Sequence, residues 1–124
     1  MTDGFDSPVE VLRSLCLSLP KATERLSHGE PTWFVDGKRS FVMFADHHHD
    51  DRVAFWCAAF PGIQVLLTES EPDRFFRPPY VGHRGWVGVY LDVPVDWLEI
   101  RQLVTDAYLQ VAPKRLAALV TKNF

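Results

Sequence analysis

The sequence predicts an α+β domain: an antiparallel β-sheet with the N-terminal helix and the C-terminal helices packed on one face. Three observations lead there. Apolar residues recur at helical spacing near both ends of the chain, the middle reads as strands around tight turns, and no repeated strand-helix alternation appears. At 124 residues and 14.2 kDa, positions 1–124 suit one domain, able to bury about two-thirds of its unfolded surface.

The first helix starts at Ser7-Pro8-Val9-Glu10. This is an N-cap serine, a proline at the first helical position and a glutamate placed for a capping box. Leu12, Leu15, Cys16 and Leu19 form one apolar face until Pro20 ends the helix. From Glu30 the period changes: "EPTWFV" and "KRSFVMFA" flank Asp36-Gly37, a dipeptide suited to a hairpin turn. "RVAFWCAAF" is the third strand, so "DHHHDD" is the next hairpin's connection.

Pro61 starts a short helix in "PGIQVLLTES", with Ile63, Leu66 and Leu67 on a shared face. "DRFFRPPYVGHRG" is loop, and "WVGVYLDV" a strand. Asp96 caps a long helix whose apolar positions run from Ile100 to Val111, with Glu99 completing the cap signature. Pro113 begins a last helix with Leu116, Leu119 and Val120 inward.

Composition narrows the function classes. Hydrophobic residues make up 47% and charged ones 23%, a globular balance that argues against disorder. The net charge of -3 and pI near 5.9 argue against a generic polyanion binder. No apolar run reaches about 18 residues, and Met1 to Asp6 is polar and acidic, unlike a secretory signal. The expected location is the cytoplasm, with no membrane partner. Cys16 and Cys57 each lie in an apolar segment and are expected as buried thiols.

Two sites suggest themselves. Lys38 and Arg39 follow the first hairpin turn, where a wing-like tip would meet nucleic acid. In "RFFRPPYVGHRGW", Arg74, Arg77, His83 and Arg84 alternate with Phe75, Phe76, Tyr80 and Trp86, a mixture suited to phosphates and stacked rings. The plainer reading of that loop places Phe76, Tyr80 and Trp86 in the core and pairs its arginines with Glu69, Glu71 and Asp73. His47, His48, His49, Asp50 and Asp51 read as a solvated hairpin tip, since successive strand residues face opposite ways; no metal or cofactor is expected. There is no nucleophile elbow, Gly-rich phosphate loop, H-E-x-x-H or C-x-x-C, and no catalytic residue is assigned. His28 and His83 are each flanked by glycine and are the histidines closest to an acid-base role, near Glu30 or Asp36.

"LSLPKATERLSHGEPTWFVDGKRSFVMF", "FRPPYVGHRGWVGVYLD" and "VTDAYLQVAPKRLAAL" together resemble the MmcQ/YjbR family. The pattern is carried by Leu19-Pro20, Gly29, Gly37-Lys38, Trp86-Val87 and Tyr108, from about Val9 to Leu119. The resemblance implies a CyaY-like, frataxin-resembling fold and a DNA-binding role through a wing-like sheet surface. Two features depart from what it implies: no lysine lies between Arg52 and Arg74, and the first helix lacks the acidic ridge that iron handling would need. The missing lysine counts against DNA, as the acidic balance does; the expectation is a non-enzymatic protein of unknown biochemical role that binds a partner, DNA being the first candidate, through Lys38, Arg39, Arg77, His83 and Arg84 on one surface. The alternative is a small-molecule or protein-binding module using the aromatic loop 75–86, around Tyr80 and Trp86, which requires a concave apolar pocket.

Overall fold

Two pairs of left-handed residues turn the chain back on itself: His28-Gly29, at φ 54° and 83°, and Asp36-Gly37, at φ 54° and 69°. Both residues of a tight hairpin turn need positive φ, which glycine adopts freely and aspartate tolerates. In the computed structural model, which describes residues 7–47 and 50–121 (Thr121 by its backbone alone), these turns join three successive antiparallel strands. They are β1 (Ala22–Ser27), β2 (Glu30–Val35) and β3 (Arg39–Asp46). β4 (Val53–Cys57), the two-residue β5 (Phe75–Phe76) and β6 (Val87–Tyr90) complete a six-stranded antiparallel sheet in the order β1-β2-β3-β4-β6-β5.

The expected strands all form, and β1 and β5 are added at the two edges. β1 escapes the hydrophobic pattern because Glu24 occupies its helix-side position. Glu24 accepts from Arg13 Nε at 2.8 Å and from Trp33 Nε1 at 2.9 Å, so an ion pair sits where a core strand carries an apolar side chain. The Arg13 guanidinium, with help from the Trp33 indole, holds the Glu24 carboxyl below its ordinary value.

Strand register separates the faces. Trp33, Val42, Cys57 and Val87 lie opposite one another in a row, as do Phe44, Phe55, Val89 and Phe75, and all are buried. This is the helix side. α3 (Trp97–Val111) packs on β3 and β4, while α1 (Pro8–Leu17) packs on β1 and α3. A bulge between Trp33 and Phe34 leaves Phe41 without a β2 partner, and its ring meets Tyr108 of α3 edge-on at 5.5 Å. The Tyr108 hydroxyl donates to Pro20 O at 2.6 Å, tying α3 to the end of α1. Asp96 caps α3 as expected by accepting from Leu98 N.

Several details differ from expectation. The capping box at α1 does not form: Ser7 makes no side-chain cap bond, and Glu10 pairs instead with Arg13 at 2.7 Å. The helix ends at Leu17, before Pro20. In α2 (Ile63–Ser70) the buried side chain is Gln64, whereas Leu66 faces solvent, because α2 docks through backbone carbonyls of the 82–86 segment as well as through apolar contact. In α4 (Lys114–Thr121), Leu116 and Val120 are buried but Leu119 is exposed. Both cysteines are buried free thiols, and burial pushes Cys57 up to about 12.

Candidate functional site

The opposite face of the sheet carries no helix row, yet it is not a solvated polar face. Thr32, Met43, Trp56, Gly88 and Phe76 lie directly opposite one another across five strands. A sheet covered on one side alternates apolar and polar; consecutive apolar residues such as Met43-Phe44 and Phe55-Trp56 mean that both faces are in use. Two bodies make this row possible. Gly88 has no Cβ, and the Phe76 ring occupies the space one would need, stacking on Tyr90 at 4.6 Å. The loop after β5 then crosses in front of Trp56, which puts Tyr80 at 6.5 Å from the Trp56 ring.

Between loop and sheet lies a concave cavity of about 530 Å³, lined by Ser27, His28, Glu30, Met43, Phe44, Trp56, Tyr80 and Val81. Its walls are apolar and its polar groups come from the β1–β2 turn. His28 and Glu30, paired in the sequence reading, do share this cavity. Glu30 Oε2 accepts from Asp46 N at 3.0 Å, which fixes one acidic edge. A smaller depression of about 200 Å³ continues past Trp56, lined by Asp50, Arg52, Phe76, Arg77 and Pro79 among others. Arg52 there is clamped by Asp92 through Nε at 2.8 Å and Nη2 at 2.7 Å and lies over the Tyr90 ring at 3.7 Å. That pairing pulls the Asp92 carboxyl down and the guanidinium up.

Tyr80 is the unusual member. Its backbone is left-handed at φ 65° and its side chain is 72% exposed. A non-glycine residue there costs about 1–2 kcal/mol, and a ring so exposed recovers little of that through burial. Backbone strain of this kind concentrates at functional sites. The loop itself is anchored behind by Gln64, whose Nε2 donates to Gly82 O at 2.8 Å and Trp86 O at 2.5 Å. The sequence reading missed Met43, Trp56 and Val81 as lining residues, and Gln64 and Arg52 altogether. The apolar runs in β3 and β4 carried a usable signal for the first two.

The seven sequence-predicted residues fall into separate groups. Arg39 and Arg84 line a shallow depression with Trp86, Gln110 and Val111, on the helix side at the end of the sheet. Arg84 sits 5.4 Å from the Trp86 ring, and Trp86 is itself buried. Arg77 and Tyr80 border the open face. Lys38 is exposed in the β2–β3 turn, and His83 is exposed on a short 3-10 turn, Gly82–Arg84. Arg39 and Arg84 thus share one depression and Arg77 lines another, while Lys38 and His83 line neither. Of the aromatics placed in the core by the plainer reading, Trp86 is there, Phe76 is partly buried and Tyr80 is not. Of the arginines, Arg74 pairs with Glu71 and with Glu99 of α3. Arg77 and Arg84 have no carboxylate partner among the described residues.

"HHHDD" falls in the β3–β4 connection, as expected. His47 Nδ1 meets Asp46 Oδ1 at 2.5 Å, which raises the His47 pKa, while His48 and His49 lie outside the described residues. Among the described residues no three His, Cys, Asp or Glu side chains are placed to hold a metal ion, and no helix is long and apolar enough to cross a membrane.

Comparison with known proteins agrees with this architecture. A crystal structure of Deinococcus radiodurans protein DR2400, with a domain described as DUF419, matches at a TM-score of 0.71 and 21% identity, covering 93% of this chain and 86% of that one. At that identity the likeness speaks for the fold. No curated protein matches. The family model described as YjbR matches residues 17–110, which span β1 to β6 and nearly all of α3. The chain belongs to the YjbR family.

Proposed function

We propose that this protein is a binding module that holds a small, flat apolar ligand against the open face of its sheet. The observation that carries the reading is the cavity of about 530 Å³ walled by Met43, Trp56, Tyr80 and Val81 on the open face. Its size lies within the usual range for small-molecule sites, and a few polar groups at the mouth suit orientation more than affinity. Exposure of Tyr80 in a strained conformation supports the same reading, since the ring is held over Trp56 where a flat molecule could slide between or beside them. Ser27 Oγ lies 3.3 Å from His28 Nδ1 at the cavity mouth, and the activity assigned to the site is binding.

DNA binding through Lys38, Arg39, Arg77, His83 and Arg84 requires those side chains to converge, because phosphate contacts act through clustered positive charge. Arg39 and Arg84 line one depression and Arg77 another, and that separation favours the cavity reading.

The test is a fluorescence titration with N-phenyl-1-naphthylamine, a neutral two-ring probe. At about 0.3 kcal/mol per non-hydrogen atom, about 17 atoms give about 5 kcal/mol and a Kd of about 0.2 mM or tighter. Met43→Trp, which fills the cavity, is expected to abolish the fluorescence rise, and Tyr80→Ala to weaken it. A rise unchanged in Met43→Trp refutes the cavity as the site. Salt-sensitive binding of duplex DNA that is lost in Lys38→Ala with Arg84→Ala, and indifferent to Met43→Trp, would put nucleic acid in its place.

A further inference from the structure

The chemistry of the ligand is written in the difference between the arginines. Arg74 is held between Glu71 and Glu99, and Arg52 by both carboxylate oxygens of Asp92. Arg77 is exposed and has no carboxylate partner among the described residues, yet it is not a loosely hung side chain. A Cβ at Gly82 would stand 2.6 Å from Arg77 Cγ, so the missing side chain at Gly82 makes the seat in which the Arg77 stem lies. Gly82 is in turn fixed by Gln64, whose Nε2 donates to its carbonyl oxygen at 2.8 Å. The stem is positioned by packing, while among the described residues no carboxylate pairs with the guanidinium.

Arg77 lines the smaller depression, which borders the apolar cavity through their common wall, Trp56. Tyr80 stands three residues further along the same loop. The two depressions therefore present a ring-sized apolar space with an uncompensated guanidinium beyond one end. Glu30, on β2, also lines the apolar cavity. Asp50 also lines the smaller depression, but its carboxylate accepts from Arg52 N at 2.9 Å, on the Arg52 side. Together these features give the site a polarity: apolar body over Trp56 and negative group toward Arg77.

We infer that the ligand is a ring-bearing organic anion, carrying a carboxylate, sulfonate or phosphate that Arg77 receives. A guanidinium presents a planar fork of donors that suits each of those groups. This inference rests on the cavity reading above and adds the charge to it.

The experiment compares two probes with the same ring body: 8-anilino-1-naphthalenesulfonate, an anion, and N-phenyl-1-naphthylamine, its neutral parent. Both are titrated into the full chain and into Arg77→Gln, which keeps the Cγ seated at Gly82. Arg84→Gln is the control cation outside the groove, and Met43→Trp blocks the cavity. Arg77→Gln is expected to weaken the anion about threefold to fivefold, the effect of an exposed ion pair of up to about 1 kcal/mol. The neutral probe should bind Arg77→Gln as it binds the parent, and Arg84→Gln should change neither. If Arg77→Gln leaves the anion unaffected, or weakens both probes equally, while Met43→Trp still abolishes both, the charge assignment is wrong and the cavity stands. If Met43→Trp leaves both probes bound, both readings fall.

Discussion

Replacing Gln64 with leucine removes the anchor of the loop that forms the site. Gln64 is 8% exposed, and both of its Nε2 hydrogens are committed, one to Gly82 O and one to Trp86 O. Each such bond is worth about 1 kcal/mol net, and leaving the carbonyls dry adds to the loss, so Gln64→Leu should cost at least about 2 kcal/mol. For a domain of this size about 4 °C accompanies each kcal/mol, giving a fall in melting temperature of about 8 °C. Urea denaturation followed by tryptophan fluorescence reads the change, with an unchanged m-value as the sign that the fold is kept. Gln64→Glu is the sharper variant. It preserves shape but sets a carboxylate oxygen against two carbonyls, and should be no more stable than Gln64→Leu at neutral pH. A loss under about 0.5 kcal/mol in Gln64→Leu, the size of an ordinary surface change, or a Gln64→Glu variant as stable as the parent, would refute the anchoring argument.

Gly88→Ala should destabilise by about 1–3 kcal/mol, because its new methyl lands in the Phe76 ring and overpacks the open face; a thermally unchanged variant would show that the ring moves at no cost. At Tyr80, glycine should prove more stable than alanine by about 1 kcal/mol, because only glycine is relaxed at φ 65°; equal melting temperatures would remove the strain from the account. Glu24→Gln should lower stability at neutral pH. The Glu24 carboxyl is held below its ordinary 4.5 by Arg13, so its contribution is full above that value and drains as pH falls through the lower folded value. The gap between Glu24→Gln and the parent should therefore close in acid, and a gap of constant size from pH 7 to pH 3 would contradict the ion-pair assignment.

The parts of the fold that were legible in the sequence are those with local causes. Asp36-Gly37 announces its turn because both residues must take positive φ, and the α3 boundary follows from a capping aspartate whose bond is made within two residues. β1 was illegible because its stabilisation is not local: Glu24 belongs to Arg13 of α1 and Trp33 of β2, and Leu26 faces solvent at 69% exposure, so no apolar alternation marks the strand. His28-Gly29 turns the chain as Asp36-Gly37 does, but with a histidine in the first position it is a weaker written signal.

The site shows the same division. Tyr80 and Arg77 stood out as an aromatic and a cation in one loop, but the loop's path over Trp56 depends on Gln64, a polar residue in a helix whose leucines drew the attention. Met43 and Trp56 meet only through the β3–β4 register. Of the cations Lys38, Arg39, Arg77, His83 and Arg84, the fold brings Arg39 and Arg84 to one depression and Arg77 to another, a separation that depends on the path of the loop and not on sequence spacing.

The most direct test of the cavity on the open face uses the indole N–H signals of the four tryptophans, Trp33, Trp56, Trp86 and Trp97, in a nitrogen-15-labelled sample. On titration with 8-anilino-1-naphthalenesulfonate, Trp56 is expected to shift most, together with the backbone amides of Met43, Tyr80 and Val81, while Trp33 on the buried helix side stays in place. Shifts centred on Trp86, Arg39 and Arg84, with Trp56 unmoved, would place the ligand on the other side of the sheet and contradict the account.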